Sequence, residues 1–184
     1  MKKNLLSIVF ICFALVFTNS CDNDGNDDDN TPQNDGILTA VVNEANPINF
    51  EADFAEAVFT KGVGGSSNLY ALYVTGNEGS IDRNINFTVY TNGITTTGSY
   101  PLKFNLNHNA YYYENYGSDE PFAWLSPDYS NTDTAIIHGT ITFTEITETR
   151  TTGTFEYTAK ENLGTSIRTV TNGTFNVPLK RQGF

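Results

Sequence analysis

The chain has 184 residues and a formal net charge of −11 at pH 7. That length accommodates one domain and leaves little room for a second. With 39% hydrophobic residues the chain can bury a core, which excludes a wholly disordered protein. The acidic balance also argues against a nucleic-acid partner, because no large basic surface is present to contact phosphates.

The N-terminal residues have the features of a bacterial export signal. Lys2 and Lys3 precede an uncharged apolar run at 5–17, which is too short to span a membrane. A serine and Cys21 come next, and a small residue before a Cys resembles a bacterial lipobox. That resemblance implies cleavage of a signal peptide at 1–20, a diacylglycerol on the Cys21 sulfur and an acyl chain such as palmitate on its amino group.

An acidic segment follows the predicted lipid anchor. Residues 22–36 contain six Asp and no basic, aliphatic or aromatic side chain. Nothing in this segment can be buried, and repulsion between like charges keeps it extended. It also resembles the export signal of Bacteroidetes-type lipoproteins, which implies the outer membrane, at its periplasmic face or, as the acidic run favours, at the cell surface. We therefore expect a lipidated Cys and flexible tether at 21–36 and a folded domain at 37–184.

The rest of the chain is a succession of short β-runs separated by polar turns. Apolar and polar residues alternate at 85–90, and three more alternating runs lie within 139–179. A period of two places one set of side chains on a buried face of a sheet and the other set on a solvent face. The pattern predicts a single all-β domain, an antiparallel β-sandwich of about nine or ten short strands, with a partly closed β-barrel as the alternative.

The C-terminal stretch predicts the core most clearly. Large apolar residues alternate there with Thr, Glu or Asn, and β-branched and aromatic residues suit a half-buried sheet surface. The side chains predicted to be buried on one face are Phe143, Phe155, Tyr157 and Phe175. A second layer has to cover that face, so the upstream strands must supply it.

Three segments of this stretch resemble one protein family. They are GTITFTE at 139–145, TGTFEYTA at 152–159 and TNGTFNVP at 171–178. LTAVVN at 38–43 resembles the first strand of the same family, so the likeness extends over about 37–179. The family consists of small Bacteroidetes-type lipoproteins of unknown function. The resemblance implies a lipidated all-β domain and supplies neither an activity nor site residues.

An aromatic segment at 111–129 is not a feature of that family. Its pattern is irregular, so its aromatic side chains are not all expected in a core. Exposed Tyr and Trp combine a flat apolar face with a polar group, which suits a sugar ring or a protein partner. We therefore predict a ligand-binding surface formed by Tyr111, Tyr112, Tyr113, Tyr116, Trp124 and Tyr129. The alternative is that Trp124 and half of the tyrosines cap the open end of the sandwich.

The residues around Trp124 indicate what such a surface would bind. Pro121 and Pro127 flank Trp124 and restrict the backbone, which preorganises the aromatic display. Nearby carboxylates accept hydrogen bonds from sugar hydroxyls and repel anions, and these are Glu114, Asp119, Glu120 and Asp128. The expected ligand is therefore a neutral glycan or a basic patch on a protein.

No group of residues in the sequence predicts catalysis, a metal or a cofactor. The mature domain has no Cys, and His108 and His138 are too few for a usual metal site. Glycoside hydrolysis needs two carboxyls flanking one bond, and the candidates are Glu145, Glu148, Glu156 and Glu161. The leading prediction is a non-catalytic envelope lipoprotein that binds a glycan or a protein. A carboxylate-dependent hydrolase and a purely structural envelope component are the alternatives.

One short motif predicts a modification. Asp133, Thr134 and Ala135 resemble the acceptor sequence for O-glycosylation in Bacteroidetes-type bacteria. The motif lies in a polar turn outside the signal peptide. We therefore predict an O-linked glycan on Thr134.

Overall fold

The computed structural model describes residues 35–43, 46–66, 68–79, 82–119, 121–130 and 132–184. Within these residues the chain forms eleven β-strands and one 3-10 turn, so the prediction of an all-β domain is confirmed. The predicted signal peptide, Cys21 and the tether up to residue 34 lie outside the described residues. None of the described residues belongs to a helix that is long and apolar enough to cross a membrane.

The sequence pattern predicts one strand at 48–60, a polar connection at 77–84 and an irregular insert at 111–129, and the structure differs from each of these predictions. The strands are β1 (Ile37–Asn43), β2 (Ile48–Glu51), β3 (Phe54–Lys61), β4 (Tyr70–Glu78), β5 (Arg83–Thr91), β6 (Gly98–Pro101), β7 (Asn109–Glu114), β8 (Phe122–Ser126), β9 (Gly139–Ile146), β10 (Arg150–Glu161) and β11 (Ile167–Gln182). The run at 48–60 was predicted as one strand but forms two, because the chain leaves β2 at Ala52 and Asp53 and enters a different part of the sheet. The polar residues at 77–84, predicted as a connection, instead extend β4 and β5 as a pair.

All eleven strands belong to one mixed hydrogen-bonded sheet, and because β10 also pairs with β11, we describe it as two layers that share these strands and name them the first sheet and the second sheet. The first sheet has the order β2-β1-β11-β10-β9-β6, and all its pairs are antiparallel. The second sheet has the order β11-β3-β4-β5-β7-β8-β10. Its pair between β11 and β3 is parallel, so the sheet is mixed and not purely antiparallel as predicted. Because β10 also pairs with β11, the strand pairings close on themselves, which agrees with a sandwich or a partly closed barrel.

The hydrophobic core lies between the two sheets. Phe87 of β5 contacts Phe155 of β10 and Phe175 of β11, with ring centroids 5.1 Å and 5.3 Å apart. The second sheet therefore supplies the layer that the C-terminal strands require. All four side chains predicted to be buried, Phe143, Phe155, Tyr157 and Phe175, are buried, which confirms the predicted core face.

Two glycines explain the repeated glycine and aromatic pattern of β10 and β11. Gly153 pairs across the strands with Phe175, and Gly173 pairs with Phe155. A Cβ on Gly153 would lie 2.5 Å from the Phe175 ring, and one on Gly173 would lie 2.6 Å from the Phe155 ring. Each ring therefore covers the glycine opposite it, which compensates for the missing side chain in the strand interior.

The predicted irregular insert at 111–129 is largely regular. β7 and β8 form an antiparallel pair in which Tyr112 lies opposite Trp124. The sequence hides this strand because Tyr111, Tyr112 and Tyr113 are identical, so no alternation of apolar and polar residues is visible. The hairpin places its side chains alternately in the core and on the outer face of the second sheet.

Candidate functional site

The alternation of β7 separates the predicted ligand-binding aromatics into two sets. Tyr112 and Trp124 are 0% and 3% exposed, so the prediction that they form an exposed surface is wrong. Their ring centroids are 5.5 Å apart in the core. Trp124 Nε1 donates a hydrogen bond to Ser166 Oγ at 2.8 Å, and the Arg168 guanidinium lies 4.4 Å from the Trp124 ring centroid. Trp124 therefore belongs to the core, as the structural alternative proposed.

The remaining predicted tyrosines lie on the outer face of the second sheet. Tyr111 and Tyr113 stack with centroids 5.8 Å apart and ring planes inclined by 18°. Tyr116, from the loop after β7, meets Tyr113 edge to face at 5.1 Å. The backbone N–H of Tyr116 donates to the carbonyl of Asp82 at 2.6 Å, which holds this loop against the neighbouring hairpin.

Two further tyrosines complete this surface, although no sequence motif assigns them to a site. Tyr73 of β4 and Tyr90 of β5 occupy outward positions, since their neighbours Leu72, Val74 and Val89 are buried in the core. The sequence does contain a signal for them, because each follows a core residue in a strand whose side chains point alternately to its two sides. We name the whole set the tyrosine face, and it consists of Tyr73, Tyr90, Tyr111, Tyr113, Tyr116 and Tyr129.

Polar side chains of the adjacent strands lie on the same side of the sheet and are buried. We name them the polar ladder, and they are Glu56, Thr75, Asn84 and Asn86. The Asn84 amide donates to Thr75 Oγ1 at 2.9 Å and to Asn77 Oδ1 at 2.6 Å, and its oxygen accepts from Asn86 Nδ2 at 2.6 Å. Because buried polar groups need partners, this network holds the floor of the tyrosine face in one arrangement.

Five phenols of the tyrosine face, those of Tyr73, Tyr90, Tyr111, Tyr113 and Tyr129, have a raised pKa and are neutral over the whole physiological pH range. Burial raises the pKa of Tyr111 to about 12, with smaller contributions from Tyr129 and Tyr90. Burial also raises the pKa of Tyr73 to about 12, although a hydrogen bond with Thr75 acts in the opposite direction. For Tyr113, burial and then the neighbouring phenols raise the pKa further. The face thus presents uncharged hydroxyls that both donate and accept hydrogen bonds.

The most exposed rings lie at two ends of the tyrosine face. Tyr116 is 44% exposed and Tyr129 is 47% exposed, whereas Tyr111 and Tyr113 are half-buried. Since Tyr111 and Tyr113 stack on each other, they offer mainly ring edges and hydroxyls. The freer ring faces for stacking are therefore those of Tyr116 and Tyr129.

A cross-strand row connects the polar ladder to a surface groove. The row passes through consecutive partners in six adjacent strands, and these are Glu56, Thr75, Asn86, Tyr111, Leu125 and Lys160. With neighbouring strands about 4.8 Å apart, the row spans roughly 24 Å. That length suits an extended ligand lying across the strands.

The groove at the end of this row has a volume of about 310 Å³ and is lined in part by Leu125, Tyr129 and Lys160. Lys160 Nζ donates to Ser130 Oγ at 2.7 Å and lies 3.4 Å from Asp128 Oδ2. Ser130 Oγ donates in turn to Asp128 Oδ1 at 2.6 Å. Partial burial raises the pKa of Asp128, but the hydrogen bonds from Ser130 and the charge of Lys160 outweigh it. The pKa is lowered overall, so the carboxylate is ionised at neutral pH.

The four glutamates considered for hydrolysis are not brought to one cleft. Glu145 and Glu148 lie near the turn between β9 and β10, whereas Glu161 ends β10, and this strand of 12 residues extends over roughly 36 Å. Glu148 pairs with Arg181 at 3.1 Å, and Glu161 accepts a hydrogen bond from Ser166 at 2.7 Å.

The other residues singled out in the sequence lie away from the tyrosine face or at its edge. His108 is buried, and its Nδ1 accepts a hydrogen bond from the backbone of Tyr90 at 3.2 Å. In the described parts of the chain, no group of three or more His, Cys, Asp or Glu side chains is placed to hold a metal ion. Thr134 is exposed in the loop before β9, and its glycosylation stays a prediction. Glu120 lies outside the described residues.

Comparison with protein-family models, with curated proteins and with solved structures finds no match for this chain. The resemblance to small Bacteroidetes-type lipoproteins therefore stays a prediction. Since a fold does not by itself imply a function, any function has to be argued from the geometry of the tyrosine face.

Proposed function

We propose that this chain is a lipid-anchored, non-catalytic binding module of the bacterial outer membrane, whose tyrosine face binds a neutral glycan. The observation that carries the proposal is the set of six tyrosines packed beside a fully hydrogen-bonded Asn84 on one outer surface. The lipid anchor and the membrane location rest on the N-terminal sequence, where Cys21 follows an export signal.

The chemistry of the tyrosine face suits sugar hydroxyls. Five of its phenols have a raised pKa and stay neutral, and each phenol can donate one hydrogen bond and accept another. Tyr116 and Tyr129 expose ring surface that can stack on the apolar face of a sugar ring. The ionised Asp128 lies beside Tyr129 in the groove at the end of this face and repels anionic ligands, which favours a neutral glycan.

The rigidity of the surface also supports binding. The polar ladder fixes its amides in one network, and the stacked pair of Tyr111 and Tyr113 limits rotation of both rings. A surface that is ordered before binding loses less conformational entropy on binding. Affinity can therefore come from a few neutral contacts.

A protein partner is the second candidate, and one observation favours it. The stacking of Tyr111 on Tyr113 covers ring surface that a sugar would use, and leaves the edges and hydroxyls that tyrosine-rich protein interfaces use. The two candidates share the same residues, so only a ligand screen separates them.

The test is an array of neutral oligosaccharides probed with the chain from residue 22 onward, followed by calorimetric titration of the best ligand. Tyr116→Ala should weaken binding by about tenfold or more, as removal of an exposed aromatic anchor does. Thr154→Ala, on the outer face of the first sheet, is the control and should bind like wild type. The glycan proposal is overturned if no neutral oligosaccharide binds, or if Tyr116→Ala binds as tightly as wild type.

The lipid anchor has a separate test. Cys21→Ala should abolish incorporation of labelled palmitate and move the protein from the membrane fraction to the soluble fraction. Two or three acyl chains hold a protein at a bilayer almost permanently, since each buried CH₂ contributes about 0.8 kcal/mol. Unchanged fractionation of this variant would remove the anchor from the proposal and leave the tyrosine face unaffected.

A further inference from the structure

The groove beside Tyr129 differs in chemistry from the tyrosine face that leads to it. It contains an ammonium group, a carboxylate and a hydroxyl within hydrogen-bond distance of one another, on Lys160, Asp128 and Ser130. Its walls include the apolar side chain of Leu125 and the half-exposed ring of Tyr129. A small number of polar groups between apolar walls is the usual composition of a small-molecule site.

We propose that the groove is a subsite for one sugar unit, which it holds by a vicinal diol, and this inference rests on the proposed glycan binding. Lys160 Nζ and Asp128 Oδ2 are 3.4 Å apart, which is close to hydrogen-bond length. Adjacent hydroxyl oxygens of a sugar ring have a similar separation. One hydroxyl of the diol donates to the Asp128 carboxylate, and the oxygen of the other accepts from the Lys160 ammonium.

The chemistry of both groups suits this arrangement. The lowered pKa of Asp128 keeps its carboxylate an acceptor at neutral pH, and an ammonium group such as that of Lys160 only donates hydrogen bonds. Hydrogen bonds to charged groups are about twice as strong as those between neutral groups. Glu161 lines the groove together with Asp128 and Lys160, so its carboxylates outnumber its ammonium group and disfavour an anionic ligand, which is consistent with a neutral sugar.

The size and position of the groove limit the ligand to a single unit at this point. A volume of about 310 Å³ is at the lower end of the range for ligand pockets. Leu125 and Lys160 are cross-strand partners, and Leu125 is also the partner of Tyr111. A glycan lying along the cross-strand row therefore places one unit in the groove and the next unit over Tyr111.

The experiment uses the chain from residue 22 onward and four probes, the methyl glycosides of glucose, galactose, mannose and N-acetylglucosamine. Backbone amide chemical shifts are followed by NMR during titration to millimolar concentrations. At least one probe should shift the amides of Tyr129, Ser130 and Lys160. Asp128→Asn and Lys160→Met should each weaken this binding by about tenfold, because each removes one charge-assisted hydrogen bond.

Two controls separate the subsite from the tyrosine face. Tyr113→Ala should leave methyl glycoside binding unchanged and weaken binding of the best oligosaccharide from the array. Replacing the best probe by its deoxy analogues, one hydroxyl at a time, should abolish the shifts for two adjacent positions only. Thermal unfolding of each variant verifies that it is folded.

The outcomes are distinct. If no methyl glycoside shifts the groove amides, or if Asp128→Asn binds like wild type, the subsite is overturned. Oligosaccharide binding that Tyr116→Ala weakens would in that case still support the proposed function. If no oligosaccharide binds either, both proposals fail.

Discussion

The outer faces of the two sheets obey the same alternation but have opposite characters. On the first sheet, five consecutive strands contribute small hydroxyl residues to one cross-strand row, and these are Thr39, Thr174, Thr154, Thr142 and Ser99. The hydroxyls of Thr39 and Thr174 form a hydrogen bond at 3.0 Å, and those of Ser99 and Thr142 form one at 2.9 Å. All four side chains are in full or partial contact with solvent. On the second sheet the outer face consists of large tyrosines beside buried amides.

Side-chain length accounts for the difference. A Thr side chain is too short to cover its neighbours, so the first face stays hydrated, and its composition is explained by the preference of Thr for strands. A Tyr side chain extends over adjacent strands and removes water from Asn84 and Asn86. Burying these two amides costs free energy, and a sheet can form without burying them. The comparison therefore places the candidate function on the second sheet.

The largest expected effect lies in the core that both faces share. Phe155→Ala removes the ring that contacts Phe87 and covers Gly173, and it should destabilise the domain by about 3–5 kcal/mol. Urea denaturation measures the loss. Thr154→Ala, the adjacent outward residue, is the matched control and should change stability by less than about 0.5 kcal/mol. A loss below about 1 kcal/mol for Phe155→Ala would mean that the two sheets do not depend on this contact.

The next effect distinguishes the two outer faces directly. Asn84→Ala leaves Asn86 and Asn77 without their partner in a buried network and should cost about 1–3 kcal/mol. Thr174→Ala removes the hydroxyl that bonds Thr39 on the exposed face and should cost much less. If both substitutions have the same small effect in urea denaturation, the polar ladder is hydrated like the threonine row and the comparison fails.

A smaller effect should appear at alkaline pH. The pKa of Tyr73 and that of Tyr111 are raised to about 12, against about 10 in the unfolded chain. The folded state therefore holds these protons more tightly, and the resulting stability is present below pH 10 and lost as the pH rises through about 12. The absorbance of tyrosinate should show a late-titrating fraction. Replacing both residues by Phe should reduce that fraction, to which Tyr113 also contributes, and lessen the loss of stability between pH 10 and 12, while unchanged titration would show that the face is hydrated.

The smallest effect is expected where neither outer face is involved. Deletion of residues 22–34 should leave the melting temperature unchanged, because these residues contain no apolar side chain to bury. Asp35, near the end of the predicted tether, contacts Arg150 through its carboxylate at 2.7 Å. Extending the deletion through Asp35 should cost at most about 1 kcal/mol, as an exposed ion pair does. A large decrease for the shorter deletion would show that the tether packs on the domain.

Predictability from the sequence varied along the chain according to how visible the period of two was. In β9, β10 and β11 the alternation of aromatic residues with Thr identified the buried face correctly. In β7 three identical tyrosines concealed the period, so Tyr112 was assigned to a surface that it does not reach. The run at 48–60 looked continuous, because a change of sheet at Ala52 and Asp53 leaves the hydrophobic pattern intact.

The amino-acid sequence by itself determined the all-β class and the C-terminal core face, because alternation with a period of two is a local property of the chain. It also supports the predicted export signal, which depends on consecutive residues alone. Only the tertiary structure decided that Tyr73 and Tyr90 join the tyrosines of β7, that Trp124 is buried, and that Asp128 and Lys160 meet beside Tyr129. These relations depend on strand order and register, which bring together residues distant in the chain and which no local pattern specifies.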